Sequence, residues 1–174
     1  LARQADAMEG YFERVVDTLT AAGYRWYETA NFCLDGERAG GRDLRARHNL
    51  GYWQGRDYLG LGIGAVATVS GERRRTLPSL PRYVAALAVG ERPPREVEPI
   101  DEATHGRELL MLGLRLDEPV AVAEVTDVLD RDALGRLLEL GLVERTRGDE
   151  LRLTRRGRFL GGGVTSELLV EAAG

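Results

Sequence analysis

The chain is 174 residues long, with 28 acidic side chains, 24 basic ones that are all arginine, and a single cysteine, Cys33. One cysteine excludes an internal disulfide, a four-cysteine zinc site and an iron–sulfur cluster ligated by this chain alone. No window approaches the roughly 18 consecutive apolar residues of a membrane span, and Leu1 is not followed by a charged-then-apolar leader pattern, so a cytoplasmic, reducing-compartment protein without a membrane span is expected. The length suits one domain and an extra module, and a first residue other than methionine, inside a helical pattern, reads as a fragment.

Met8, Phe12, Val15, Val16 and Leu19 recur at three- and four-residue spacing, which predicts an amphipathic helix that Gly23 stops. Tyr24–Phe32, aromatic-rich and free of Gly and Pro, reads as one strand, so helix and strand together make half of a βαβ unit. Residues 35–47, with three glycines among charged side chains, read as a mobile surface loop. His48–Trp53 follows, then a turn at Gln54–Gly55 and a glycine-interrupted strand over Tyr58–Val69. Ser79–Val89 carries a helix signature: Ser79 at the N-cap, Pro81 in the first turn, Gly90 beyond the end.

Pro93, Pro94 and Pro99 sit among charges between Glu91 and Ile100, a linker composition that divides the chain into residues 1–92 and 98–174. Helices are expected over 101–116, 121–129 and 132–140, then a hairpin of 142–146 and 150–154 around Gly148–Asp149. A last helical stretch, 156–170, is interrupted by Gly161–Gly163. The fold class is therefore α/β followed by a winged-helix-like α+β module.

A winged helix invites nucleic-acid binding, and charge argues against it. From Glu98 onward the chain holds 10 arginines and 16 acids, a net −6 that suits no phosphate backbone, so no nucleic-acid partner is expected. Gly60-x-Gly62-x-x-Ala65 matches the loose dinucleotide fingerprint, but the β-branched residues that follow do not open a helix, which argues against a nicotinamide site. The glycines mark a close backbone neighbour, either the protein itself or a ligand. His105 lies in the first turns of a helix with no ligand-spaced partner and is expected to face solvent. His48 ends an arginine-rich loop and stands beside Asn49, Tyr52 and Trp53. An imidazole can ligate haem iron, aromatic rings can stack on a macrocycle, and arginines such as Arg38, Arg42, Arg45, Arg47, Arg56 and Arg73–Arg75 can pair with propionates. The same residues equally suit a solvated loop with a hydrogen-bonded histidine. Cys33 reads as a small buried hydrophobe.

Three motifs in order carry a resemblance: Gly23-Tyr24-x-x-Tyr27-Glu28-x-x-Asn31-Phe32, Arg47-His48-Asn49-Leu50-Gly51-Tyr52-Trp53, and Asp57-Tyr58-Leu59-Gly60-Leu61-Gly62-x-Gly64-Ala65. With Glu108–Leu116 and Leu151-Arg152-Leu153-Thr154-x-x-Gly157, they resemble the C-terminal half of the HemW haem chaperone family, radical S-adenosylmethionine proteins also labelled oxygen-independent coproporphyrinogen III oxidase-like. The resemblance implies that residues 1–92 are the tail of a partial β/α radical S-adenosylmethionine barrel and its following segment, and 98–174 the family's winged-helix-like C-terminal domain. It implies haem as cofactor and cargo, with His48, Asn49, Tyr52 and Trp53 as its contacts and His48 as the metal ligand. It places Gly62, Gly64, Ala65 and Val66 where the family's backbone approaches S-adenosylmethionine. Relatives commonly carry a histidine after Gly-Ala at that strand; Val66 stands there instead.

The cysteines of the [4Fe–4S] cluster belong to the part of such a protein that precedes this chain. A haem chaperone that hands its cargo to acceptor proteins is the first functional expectation. A radical-based porphyrinogen decarboxylase and a docking module without its own ligand site are the alternatives. The open edge of a truncated barrel predicts dimerisation or aggregation through residues 24–32.

Overall fold

The computed structural model describes residues 2–170 and the side chains from Gly10 onward; Met8, expected on the apolar face of the first helix, lies outside those side chains. Helix α1 (Ala2–Ala21) ends at Gly23, whose positive φ of 87° suits a residue without Cβ. Along its described face Val16 is fully buried and Phe12 half-buried, whereas Val15, expected with them, faces solvent.

Residues 24–32 are not one strand. Strand β1 (Tyr24–Glu28) turns at Thr29–Ala30 into β2 (Asn31–Leu34), antiparallel with Trp26 opposite Phe32. The Glu28 carboxylate causes the reversal: its Oε2 accepts from the Ala30 N–H at 3.2 Å and from Asn31 Nδ2 at 2.5 Å. Such a side-chain acceptor two residues back holds a turn without glycine or proline. Trp26 and Tyr27 are buried within the chain, while each of the two strands keeps an outer edge that no other strand pairs among the described residues.

Turns follow through residues 35–46, in which Ala39 is buried. Helix α2 (Arg47–Trp53) carries the His-Asn-x-x-Tyr-Trp motif and buries Leu50. The strand expected over 58–69 is shorter. Tyr58 pairs with Thr68, its N–H donating to Thr68 O at 2.8 Å, and the chain between them loops back before β3 (Val66–Val69). Gly62 and Gly64, at φ 105° and 68°, make that reversal in a region L side chains rarely adopt.

Strand β3 pairs antiparallel with β4 (Glu72–Thr76), and β4 with β5 (Arg95–Pro99). The proline-rich linker composition thus contains an edge strand, a position proline tolerates because no ladder N–H is needed outward. Arg73 stands opposite Glu98 and Arg75 opposite Glu96, so charge complementarity sets this register. Between them α3 (Leu80–Ala88), with Ser79 at its N-cap position as expected, buries none of its residues.

Helix α4 (Glu102–Gly113) opens with Asp101 accepting from the Thr104 N–H at 2.6 Å. The two-residue strand β6 (Val120–Ala121), which no sequence signal marked, leads into α5 (Val122–Val125) and α6 (Arg131–Glu139). The hairpin appears as β7 (Val143–Arg145) and β8 (Glu150–Leu153), and β8 is central in the sheet order β6-β8-β7. The last helix splits at Leu160 into α7 (Arg155–Phe159) and α8 (Gly161–Glu167). The main core lies here, built from leucines and valines between Leu110 and Leu168. The fold class is mixed α/β with small antiparallel sheets.

Candidate functional site

Helix α2 shows one turn's worth of the motif to one side. The His48 ring meets Tyr52 edge-on at 5.0 Å between centroids, and Tyr52 in turn lies 4.5 Å from Tyr58. The four-residue spacing of His48 and Tyr52 stacks them on one helix face. His48 is exposed at the start of this run and Asn49 half-buried. Beyond Tyr52 the surface falls into a cleft of about 590 Å³ between α2, the β3–β4 sheet and α4, lined by Tyr52, Trp53, Tyr58, Arg73, His105 and Glu108. That volume is within the roughly 300–1,000 Å³ of small-molecule sites.

Trp53, on the far side of α2, lies under the Arg115 guanidinium, 4.4 Å from ring centroid to its carbon. Its indole N–H is buried and has no hydrogen-bond partner among the described residues, and the same holds for the neighbouring Gln54 Oε1. A buried indole donor normally finds an acceptor, so this one is satisfied only where the packing around Trp53 opens. An exposed imidazole and two tyrosine rings fit a flat, metal-centred macrocycle. Among the described residues no group of three or more His, Cys, Asp or Glu side chains could hold a metal ion.

Not every candidate residue gathers here. Gly62, Gly64, Ala65 and Val66 stand apart from the cleft lining, which takes only Tyr58 and Thr68 from this segment. The Gly64 N–H donates to Thr76 O at 3.0 Å, and Ala65 O accepts from the Thr76 N–H at 2.9 Å. A Cβ at Gly60 would come within 2.2 Å of Val66 O, so the close neighbour expected for these glycines is the chain's own backbone at that position. Of the arginines expected to suit propionates, Arg56 and Arg73 line the cleft, and Arg73 is already paired with Glu108 at 2.5 Å. Arg45 is tied to Asp43 and Glu118.

His105 is exposed, as expected, yet it borders the cleft from α4. Sequence reasoning also missed the network behind Trp53. Glu28, 1% exposed, accepts from Arg115 Nη2 at 2.8 Å as well as from Asn31 and the Ala30 N–H. Burial pushes its carboxyl up, and these donors outweigh that and leave it below the ordinary carboxylate range. The Glu28-x-x-Asn31 spacing was the available signal. Cys33 packs half-buried against Tyr27, Leu50 and Leu116, and burial raises its thiol.

Known proteins resemble this chain along most of its length. The HemN C-terminal domain family matches residues 100–160. The heme chaperone HemW of Mycobacterium tuberculosis (strain CDC 1551 / Oshkosh) is 33% identical over 164 residues, covering 94% of this chain and 40% of that protein. The heme chaperone HemW of Bacillus subtilis is 27% identical over 167 residues, covering 92% and 42%. The chain thus spans about two fifths of the length of these relatives. Among solved structures, Escherichia coli coproporphyrinogen III oxidase (HemN), described as a radical SAM enzyme, superposes with a TM-score of 0.60 over 90% of this chain and 39% of that one; at 17% identity the likeness is one of fold. No helix among the described residues is long and apolar enough to cross a membrane. The chain belongs to the HemW family and corresponds to its C-terminal portion.

Proposed function

We propose that this chain is the haem-contacting portion of a HemW-like chaperone, whose whole protein holds haem and passes it to acceptor proteins. The observation that carries the reading is the continuous aromatic run His48–Tyr52–Tyr58 opening into the cleft. Haem, when bound, supplies an iron that takes an imidazole ligand. His48 offers that imidazole from an exposed helix turn, where a protein that must release its cargo benefits from access. Tyr52 supports the ring orientation of His48, Asn49 lies beside it on α2, Trp53 forms part of the cleft wall, and Arg56 offers donors to propionate oxygens.

In the whole protein a [4Fe–4S] cluster and S-adenosylmethionine belong to the preceding barrel. The Gly62–Val66 turn is the backbone proposed to face the nucleoside, with α1, β1 and β2 as the barrel's tail and α4–α8 with β6–β8 as a winged-helix-like domain. Sequence relatives named as chaperones support this over the decarboxylase reading, since the oxidase likeness is one of fold. The test is a haem titration of the chain with His48→Ala and Tyr52→Ala beside it. His48→Ala is expected to abolish the Soret shift of the ligated form and weaken binding at least about tenfold, no less than the loss of an outer-shell partner of a metal ligand. An unchanged Soret band and affinity overturns the ligand assignment. No haem binding by a folded chain favours the docking-module reading.

A further inference from the structure

A second cavity, of about 320 Å³, lies on the other side of the Arg115–Trp53 stack, with Met111 lining both spaces. Its walls are apolar where Phe12, Leu153 and Phe159 line it, and Thr165 and Ser166 border it from α8. Its basic groups are Arg115, already paired with Glu28, and Arg158, from α7. Arg158 Nη1 donates to Trp26 O at 2.7 Å, and the guanidinium carbon stands 3.7 Å over the Trp26 ring. Nε and Nη2 are buried and have no hydrogen-bond partner among the described residues.

Those two atoms form the side-on edge with which a guanidinium grips a carboxylate through two parallel hydrogen bonds. The protein uses this edge elsewhere. Arg25 gives Nε and Nη2 to the two oxygens of Asp117 at 2.6 and 2.8 Å, and Arg74 gives the same two donors to a single oxygen, Oε2, of Glu72. At Arg158 the edge is unfilled, while the nearby acids are engaged: Glu28 by Arg115, Asp117 by Arg25. Burial pushes the Arg158 guanidinium down to about 10, against the partial help of Asp117 and Glu28. A buried cation with an open fork is costly unless an anion completes it.

We infer that the Arg158 cavity is a binding site for a small carboxylic acid with an apolar body, its carboxylate on Nε and Nη2 and its body against Phe12 and Phe159. The volume, at the low end for ligand sites, limits the guest to something near a single ring. The edge is closed to water in this conformation, so entry requires side chains packed around it to give way. This site is distinct from the cleft beyond Tyr52, with which it shares only the Met111 wall, and does not depend on the haem reading.

The test is a titration of the 15N-labelled chain, without haem, with benzoate and with its neutral counterpart benzamide, following the Arg158 Nε–H resonance. Benzoate is expected to move that resonance saturably, and benzamide to bind at least tenfold more weakly. Arg158→Gln is expected to weaken benzoate at least tenfold with its far-UV circular dichroism unchanged, and His48→Ala to leave it unaffected. Should Arg158→Gln not fold, the benzoate-to-benzamide ratio on the unmodified chain decides. No shift at Arg158, or equal affinity for the two probes, overturns the proposal. Tighter binding of acetyl-Phe-Glu-amide than of benzoate overturns the small-acid assignment in favour of a carboxylate from another protein segment.

Discussion

Residues 102–169 and residues 24–99 are held together by different physics. The first stretch closes around fifteen buried leucines, valines and their kin, contributed by α4, α5, α6, β6, β7, β8 and α8 and by the turns between them. The second has Tyr27 and Leu50 buried, with Leu116 from the other half completing the cluster, and its three-stranded sheet buries no residue at all. Specific polar pairs act there instead: Arg25 on Asp117, Gln54 on Glu118 at 3.0 Å, Arg73 on Glu108 and Arg115 on Glu28. Each crosses from one stretch to the other. The core-built half can therefore position the motif-bearing half, in which His48 stays exposed while Asn49, Tyr52 and Tyr58 are half-buried and Trp53 packs against the small cluster.

The largest expected effect tests the first half of that contrast. Leu151 is completely buried on the central strand β8, opposite Val120 on one side and Arg145 on the other. Leu151→Ala removes its packing and leaves a void in a well-filled core, and urea unfolding is expected to show a loss of about 3 kcal/mol. A loss below about 1 kcal/mol would mean that the core tolerates collapse and that the contrast is misdrawn.

A smaller effect is expected at the seam. Glu28→Gln keeps the size of the side chain and removes the charge that Arg115 and Asn31 address. Because Arg115 is 40% exposed and can rehydrate, the expected cost is about 2 kcal/mol, below that of stranding a buried charge. Acid sharpens the point. The Glu28 carboxyl is held below its ordinary value of 4.5, so its contribution is complete above that pH and is lost as the pH falls through the lowered value. Glu28→Gln should flatten the decline of stability below about pH 4.5 without removing it, since Asp43, held down to about 2 by Arg45, and Glu118 also sit low. An unaltered acid limb would show that Glu28 does not carry the seam.

The same contrast explains what could be read from the chain alone. Three- and four-residue periodicity found α4 and α6, and turn chemistry found Gly141 and the β7–β8 hairpin, because core-facing elements repeat their pattern. Residues held by pairs do not repeat. The 24–32 segment reads as one strand until Glu28 is seen to hold the Thr29–Ala30 turn. Helix α2 escaped because Gly51 sits mid-helix and seven residues make too short a period. The charged segment 95–99 reads as a linker until β4 presents its arginines to Glu96 and Glu98. At the site, the motif residues His48, Tyr52 and Trp53 were legible from their order. Arg115 behind Trp53, His105 at the cleft and the open fork of Arg158 depend on contacts between residues far apart in the chain or on burial that no local pattern records.

The smallest effect separates desolvated pairs from decorative ones. Arg155 reaches Asp17 at 2.6 Å and so links α7 to α1, but the two side chains are 51% and 68% exposed. Water screens such a pair and both long side chains lose freedom in holding it, so a double-mutant cycle of Asp17→Ala and Arg155→Ala is expected to give a coupling below about 0.5 kcal/mol. That coupling should vanish in about 0.5 M salt, where screening acts within a few ångströms. Arg155 also stands 5.4 Å over the Phe159 ring, so its single substitution costs more than the coupling, and the cycle subtracts that difference. A coupling near that of the Glu28–Arg115 pair would mean that charge pairing alone holds the residues before α4, exposed or not. The ranking of core, buried pair and exposed pair would then have no basis in desolvation.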